Sequence, residues 1–155
     1  MKNLSPLLLG ILIQFVACCP PKDYDKIQLE PFEKAVSALH DSKDELLKYQ
    51  KEYNFSGLDN FILQLSREQF LNIATKEKDE ELNVIISMWD EKILIDSQKC
   101  LWFLKNGNVY FQIDECHNSK DFVVFDGGEE IMIDVQSDIR KYRIRPNWIY
   151  MRMMK

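Results

Sequence analysis

Residues 99–113 read KCLWFLKNGNVYFQI, with an apolar run on either side of Asn106-Gly107. Asn-Gly is the pair that best tolerates positive φ at both positions of a two-residue turn, so the stretch predicts a β-hairpin. With those two residues as the loop, three cross-strand pairs share one side of the hairpin, and we assign that side to the core. The pairs are Leu104 with Val109, Trp102 with Phe111, and Cys100 with Ile113.

Two more hairpins are predicted in the C-terminal half. Short runs of β-branched and aromatic residues on either side of turn-forming dipeptides are typical of antiparallel strands. The second hairpin pairs Phe122–Phe125 with Ile131–Val135 around Gly127-Gly128. The third pairs Tyr142–Ile144 with Trp148–Met153 across Pro146-Asn147.

Before Asp96 the apolar spacing is helical. Apolar residues recur every three or four positions from Glu30 to Tyr53, and Pro31 lies in the first turn, where its missing N–H costs nothing. Ser56-Gly57-Leu58-Asp59 is expected to open a shorter helix that carries Leu58, Phe61, Ile62 and Leu65.

Two further helices are predicted. Ser66 and Gln69 form a capping box, in which each side chain satisfies a free backbone N–H of the other residue. Leu82–Trp89 fits one face of a helix and also one face of a strand, and we favour the helix. The sequence therefore predicts a single α+β domain over residues 30–155, with N-terminal helices packed on a C-terminal antiparallel β-meander.

The hairpin register bears on the cysteines of the domain. A straight strand past Ile113 would carry Cys116 three residues beyond the partner of Cys100, roughly 10 Å away and on the other face. Bonded cysteines have α-carbons within roughly 7 Å, so only a bend at Asp114-Glu115 could join these two. We predict a buried free Cys100 and an exposed Cys116.

The N-terminus carries a different signal. Lys2 precedes an apolar run from Leu4 to Phe15, and Val16-Ala17-Cys18 follows. A positive start, a short apolar stretch and small residues at a cleavage site are typical of a secretory signal peptide. An uncleaved membrane anchor is the weaker alternative, because a spanning helix needs about 20 apolar residues.

The end of this signal, Phe15-Val16-Ala17-Cys18, resembles the lipobox of bacterial lipoproteins. The resemblance covers residues 2–18 and implies removal of residues 1–17, lipid on the sulfur of Cys18, and location at the cell membrane or outer membrane, facing the periplasm or the exterior. Pro20-Pro21 would keep residues 18–29 as an extended tether. The alternative is cleavage after Cys18 and release of a secreted domain.

Charge limits the partners. The net charge is −5, and loss of Lys2 with the signal would make it −6, which argues against general nucleic-acid binding. Residues 140–155 nevertheless carry only basic charges. Arg143 and Arg145 would share one face of a strand, and a groove for an anionic partner could be built from Arg140, Arg143, Arg145 and Arg152. A glycan carboxylate, a lipid headgroup or an acidic protein would suit such a groove. The alternative, which we favour, is that these residues neutralise the acidic stretch 126–138 across the sheet.

Other motifs favour structural roles. Glu115-Cys116-His117 reads as a polar connection between strands, His40 as a solvated helix residue, and residues 126–130 as a turn rather than a calcium loop. Two histidines and four dispersed cysteines give no zinc spacing, so we expect no metal or cofactor.

The resulting functional prediction is a membrane-anchored binding or interaction domain. One alternative is an envelope inhibitor or immunity-type protein that masks a basic enzyme, since charge complementarity speeds capture. Another is a hydrolase whose site combines Asp114 or Glu115 with Asp126 or Asp134.

Overall fold

The computed structural model describes residues 21–53, 61–97, 99–128 and 138–154. Most helices precede an antiparallel sheet of six strands, which confirms the predicted α+β class. The helices are a 3₁₀ turn (Tyr24–Lys26), α1 (Glu30–Asp41), α2 (Lys43–Leu47), α3 (Gln50–Tyr53), α4 (Arg67–Glu77) and α5 (Asn83–Asp90). The strands are β1 (Phe61–Leu65), β2 (Leu101–Leu104), β3 (Val109–Cys116), β4 (Ser119–Phe125), β5 (Ile139–Arg145) and β6 (Trp148–Met154). They lie in the order β1-β2-β3-β4-β6-β5.

The single helix predicted over Glu30–Tyr53 is divided into α1, α2 and α3. Pro31 lies in the first turn of α1, as expected. Ser42 separates α1 from α2 with a ψ of 14°, away from the helical value. Its buried hydroxyl donates to Asp79 Oδ2 at 2.6 Å, so a contact with a distant loop interrupts the helix.

The prediction of a helix that includes Phe61–Leu65 is wrong. These five residues form β1, which pairs antiparallel with β2, so that Leu63 lies opposite Phe103 and Leu65 opposite Leu101. The proposed opening of that helix, residues 56–59, lies outside the described residues. Pairing with a strand about 40 residues later overrides the local spacing, as tertiary contacts commonly do.

Two helix predictions are confirmed. The Ser66 hydroxyl accepts from the Gln69 N–H at 3.3 Å, and Gln69 Oε1 accepts from the Ser66 N–H at 2.9 Å, so the capping box starts α4. The ambiguous stretch Leu82–Trp89 is helical as α5, which buries Ile85, Met88 and Trp89.

The predicted register of the first hairpin was wrong by one residue. The observed pairs are Leu101 with Phe111, Trp102 with Tyr110 and Phe103 with Val109. The loop has an additional residue, because Leu104 N–H donates to Asn108 O at 2.9 Å and Gly107 takes a φ of 88°. A slip of one residue exchanges the two faces of a strand, so Trp102 and Leu104 face away from the helices.

The prediction of the second hairpin is also wrong, whereas that of the third is confirmed. Both edges of β4 are paired, one with β3 and the other with β6, so Phe122–Phe125 does not take Ile131–Val135 as its partner. Residues 129–137 lie outside the described part of the chain. The third hairpin joins β5 to β6 through Pro146-Asn147, where Asn147 has a φ of 63°.

The sheet buries side chains on both faces. On the helix face, Phe32 of α1 packs edge-on against Phe111 at 5.3 Å between ring centroids, and α4 and α5 extend the same core. On the second face, a second cluster of buried apolar residues is formed by Leu104, Tyr110, Phe122, Val124 and Met151. No helix in the described part of the chain is long and apolar enough to cross a bilayer.

The fold begins earlier than the predicted start at residue 30. The ring of Tyr24 stacks on Tyr142 at 4.9 Å and on Tyr150 at 5.8 Å. Leu29 is buried in the main core. The part of the predicted tether from Lys22 to Leu29, which we call the N-terminal segment, therefore packs on the domain instead of extending away from it.

Candidate functional site

Four charged residues form a row across one end of the sheet. Asp114 lies opposite Asp121, Asp121 opposite Arg152, and Arg152 opposite Arg140. Directly paired residues share a face, so this charged row lies on the helix face, beyond the part of it that the helices cover. The order of charges, two acidic and then two basic, places opposite charges on β4 and β6.

A bulge in β3 makes this row. The pairing of β3 with β4 shifts between Gln112 and Asp114, which leaves Ile113 as the additional residue. A bulge turns the residues after it to the other face of the strand. Asp114 and Cys116 consequently face the same side as Asp121, although regular alternation would have turned them away.

The centre of the charged row is buried. The side chains of Asp121 and Arg152 are 2% and 9% exposed, and Arg152 Nε lies 3.0 Å from Asp121 Oδ1. Arg152 Nη2 also donates to Ser119 Oγ at 3.1 Å. The Tyr150 hydroxyl hydrogen-bonds Asp121, so this carboxylate has two partners on β6.

Burial is the main electrostatic effect at this site. It raises the pKa of the Asp121 carboxyl, and the hydrogen bond from Tyr150 and the charge of Arg152 lower that pKa only in part. The neighbouring charge of Asp114 adds to the upward shift. Burial and the Asp121 carboxylate also raise the pKa of the Tyr150 hydroxyl.

The N-terminal segment covers this centre. The backbone N–H of Lys22 donates to the Tyr150 hydroxyl at 3.3 Å, and Lys22 Nζ lies 3.4 Å from Asp114 Oδ2. Tyr24 stacks over Tyr142 and Tyr150 beside it. A lysine placed between two carboxylates reduces their mutual repulsion, so these contacts suit attachment of the segment.

Paired carboxylates with a raised pKa are also a common setting for acid–base catalysis. Here Asp121 is almost fully buried and is held by Arg152 and Tyr150. A substrate would have to displace Lys22 and Tyr24 to reach it. The arrangement is therefore better suited to holding the N-terminal segment than to turning over a ligand.

The structure does not bring the four predicted arginines into one groove. Arg152 belongs to the charged row, and Arg145 forms an ion pair with Glu33 of α1. A register shift between Arg143 and Arg145 places Arg143 opposite Ile149 and Arg145 opposite Trp148, so the prediction that they share a face was wrong. Arg140 and Arg143 are exposed on the edge strand β5.

The carboxylates proposed for a hydrolase are also separated. Asp126 follows the end of β4, five residues beyond Asp121, and lies roughly 17 Å along the strand from the position opposite Asp114. Glu115 is paired with Lys120 at 3.7 Å on the second face. Asp134 lies outside the described residues.

His40 is exposed on α1, as predicted, and it also makes contacts with the sheet. Its ring stacks on Phe103 at 5.6 Å and lies edge-on to Phe125 at 5.8 Å. Its Nε2 lies 3.0 Å from the carbonyl oxygen of Gly107, which can only accept a hydrogen bond. His40 thus joins the end of α1 to the β2–β3 turn.

The prediction for Cys100 is confirmed, and that for Cys116 requires correction. Cys100 is buried and free, its thiol contacts Leu65 O at 3.6 Å, and burial raises its pKa. Cys116 is half-buried and disulfide-bonded. Since Cys100 is free, the partner of Cys116 lies outside the described residues.

The sequence contained a partial signal for the missed features. Cys18 and Cys19 stand close to Lys22, but only Cys100 was weighed as a partner for Cys116. The charged row had no local signal, because it depends on the bulge at Ile113 and on pairing between β4 and β6.

A shallow cleft of about 230 Å³ opens between α1 and α5. Its lining combines apolar side chains with charged ones at the rim: Glu30, Pro31, Lys34, Val84, Ser87, Met88 and Glu91. Lys34 is already paired with Glu30 at 2.8 Å. Within the described ranges, no group of three histidine, cysteine, aspartate or glutamate residues is arranged to hold a metal ion.

Comparison of the chain with protein-family models, with curated proteins and with solved structures finds no match.

Proposed function

We propose that this chain is an exported cell-envelope protein that lipid on Cys18 holds at a membrane, and that its α+β domain binds a partner rather than turning over a substrate. The N-terminal sequence supports the anchor, and the state of Cys116 supports the compartment. The membrane is the cell membrane or the outer membrane, and the domain faces the periplasm or the exterior.

One structural observation carries the argument for export: Cys116 is disulfide-bonded. Disulfides form and persist in oxidising compartments and are rare in the cytosol, where thiols are kept reduced. The positively charged start at Lys2 and the apolar run from Leu4 to Phe15 supply a route out of the cytosol.

The residues at the end of that run support attachment of a lipid. Ala17 directly precedes Cys18, as in the lipobox that this stretch resembles. A net charge of −6 after removal of the signal would repel an anionic bilayer, so bulk charge does not offer an alternative anchor. A covalent lipid on Cys18 would fit the lipobox-like sequence and would hold the domain at the membrane despite its negative charge.

The geometry of the charged row favours a binding role over catalysis. Its carboxylate with a raised pKa, Asp121, is buried, ion-paired with Arg152 and hydrogen-bonded by Tyr150, and Lys22 lies against the neighbouring Asp114. The groups that most resemble an acid–base pair are thus committed to the fold itself. Exposed features such as the basic edge strand β5 and the cleft beside Val84 are surfaces that a partner can contact.

Metabolic labelling with a clickable palmitate analogue tests the anchor. We expect the full chain to be labelled and to fractionate with membranes, and Cys18→Ser to lose both properties. Cys19→Ser is the matched control, because it changes the neighbouring thiol and leaves the proposed acceptor in place. An unlabelled wild-type chain in the soluble fraction would contradict the proposal.

A further inference from the structure

The two edge strands of the sheet differ in how far they are covered. β1 buries Leu63, Gln64 and Leu65, and α2, α3 and α4 contact it. β5 ends the sheet on the other side in the described part of the chain, and it has no buried residue, with four of its seven positions exposed. An uncovered edge strand can accept a further strand.

We propose that β5 binds an acidic, extended segment of a partner protein by strand addition, so that the segment continues the sheet at this edge. The inference rests on the binding role proposed above, for which it names the class of partner, and it does not depend on a lipid at Cys18. In this mode of recognition main-chain hydrogen bonds supply the affinity, and side chains of the added strand supply the specificity.

The backbone of β5 has bonding groups on its outer side. Met154 N–H donates to Asp138 O at 3.0 Å, which makes these two residues a hydrogen-bonded pair next to the β5–β6 ladder. Hydrogen-bonded and non-hydrogen-bonded pairs alternate in an antiparallel ladder, and the register is constant over the first five residues of β5. Arg140 and Tyr142 therefore bond to β6. The residues that alternate with them have N–H and C=O groups that point away from β6: Ile139, Lys141 and Arg143.

The exposed side chains of β5 are all basic. They are Arg140, Lys141, Arg143 and Arg145. Arg145 is paired with Glu33, whereas the other three form no ion pair with any residue in the described part of the chain. Arg140 also lies opposite a like charge, Arg152 of β6. The edge therefore favours carboxylates that come from outside the fold.

These charges lie on both faces of the strand. Arg140 is on the helix face, and Lys141 and Arg143 are on the second face. An added strand with adjacent acidic residues would place carboxylates on both faces, opposite or diagonal to the basic side chains. Its own backbone would meet the outward N–H and C=O groups of β5.

The same charges disfavour a second copy of this chain at the edge. Pairing of β5 with another β5 would place basic residues opposite basic residues, and like charges directly opposite each other destabilise a sheet. Lysine and other charged residues on edge strands commonly prevent such self-association. The edge thus discriminates against its own copy and favours a strand of opposite charge.

Amide hydrogen exchange of the full chain, taken from detergent extracts of membranes or from the soluble fraction, tests strand addition. The probe is an extended peptide of about the length of β5, with adjacent glutamates at its centre and threonine and valine around them. We expect it to slow exchange at the amides of Lys141 and Arg143 and to leave those of Arg140 and Tyr142 unchanged, because these two are already bonded to β6. A control peptide with glutamine in place of glutamate should bind about tenfold more weakly, because it cannot form the cross-strand ion pairs.

Two variants at one position separate the charge from the backbone. Lys141→Gln removes a cation and keeps the outward N–H, so affinity for the acidic peptide should fall about two- to threefold. Lys141→Pro also removes that N–H and should bind more weakly still, since proline is tolerated on an edge strand where the N–H faces solvent. Lys105→Gln, which neutralises an exposed lysine in the β2–β3 turn, is the matched control and should bind as wild type does. Exchange in the wild-type chain decides the question if the proline variant does not fold.

Unchanged exchange at Lys141 and Arg143 with the peptide present would overturn strand addition, and equal affinity for the two peptides would overturn the acidic partner. The same protection produced by raising the protein concentration alone would assign the edge to a second copy. Binding to phosphatidylglycerol vesicles that displaces the peptide would assign the basic residues to a membrane.

The palmitate label in the same samples separates this inference from the proposed anchor. An unlabelled chain that binds the acidic peptide with the expected protection would overturn the anchor and support strand addition. A labelled chain whose amide exchange does not respond to the peptide would overturn strand addition and leave the anchor standing.

Discussion

Arg152 is the residue on which we expect the stability of the charged row to depend most. Its side chain is 9% exposed and lies 3.0 Å from Asp121 Oδ1. Removing one partner of a buried ion pair leaves an uncompensated charge, which typically costs about 3–5 kcal/mol. We therefore expect Arg152→Leu to lower the free energy of unfolding by about that amount in a urea titration.

The matched control is Arg143→Leu, which removes an exposed arginine from the adjacent strand. Surface substitutions of this kind usually change the free energy of unfolding by no more than about 0.5 kcal/mol. Equal losses for the two variants would show that the ion pair with Asp121 contributes nothing specific. The double variant Asp121→Asn with Arg152→Leu should recover part of the loss.

The raised pKa of Asp121 predicts a pH dependence of stability. A carboxyl whose pKa is higher in the folded state holds its proton more tightly there than in the unfolded chain. Its contribution to stability is thus fully present below the ordinary value of 3.8 and is lost as the pH rises through the raised folded value. We expect wild type to lose stability relative to Asp121→Asn across that window.

The measurement is the urea midpoint of both proteins at a series of pH values from about 3 upward, which spans the ordinary carboxyl range. Asp126→Asn provides the control, since that carboxylate lies at the other end of β4. If the urea midpoint of wild type rises relative to that of Asp121→Asn as the pH increases, the predicted direction is wrong.

At the scale of elements, the β2–β3 turn is fixed by its contact with the end of β4. Gly127 N–H donates to Asn108 Oδ1 at 2.6 Å, and a Cβ at Gly127 would lie 2.8 Å from the backbone oxygen of Asn106. Overpacking against backbone commonly costs about 1–3 kcal/mol. We expect Gly127→Ala to lower the thermal midpoint more than Gly128→Ala.

Gly128 is an informative comparison, because a Cβ there meets nothing within 4 Å but the backbone has a φ of 97°. Its substitution tests backbone strain alone, worth about 1 kcal/mol. A larger loss for Gly128→Ala would mean that the turn can move away from β4 at little cost.

The elements that the sequence predicted correctly depend on nearby residues. The capping box of Ser66 and Gln69 spans three residues, so its chemistry is complete within the local sequence. The β5–β6 hairpin is likewise decided by Pro146-Asn147 between two strand-forming segments, of which β5 alternates basic with apolar residues. Class and several elements of the fold follow from such local patterns.

The features that the sequence missed depend on distant partners. The observed register of β2 and β3 differs from the predicted one because the loop is longer and Gly107 alone takes a positive φ at its end. The Asn-Gly dipeptide does not specify this loop length. Phe61–Leu65 became a strand through its pairing with β2. The candidate site needs a bulge in β3, the pairing of β4 with the non-consecutive strand β6, and the N-terminal segment, and these have no joint local signature.

At the scale of the whole molecule, the N-terminal segment would join the proposed lipid anchor to the sheet. Tyr24 contributes two ring stacks, with Tyr142 and with Tyr150. Aromatic pairs contribute about 0.5–1.5 kcal/mol each beyond their buried area. We expect Tyr24→Ala to destabilise the domain by about 1–3 kcal/mol and to increase hydrogen exchange at the Lys22 amide.

Tyr24→Phe is the conservative control, because it keeps the ring that makes both stacks. Loss of protection at Lys22 in both variants would mean that the hydroxyl, and not the stacked ring, holds the segment. Unchanged protection in Tyr24→Ala would mean that the contacts of Lys22 with Tyr150 and Asp114 suffice.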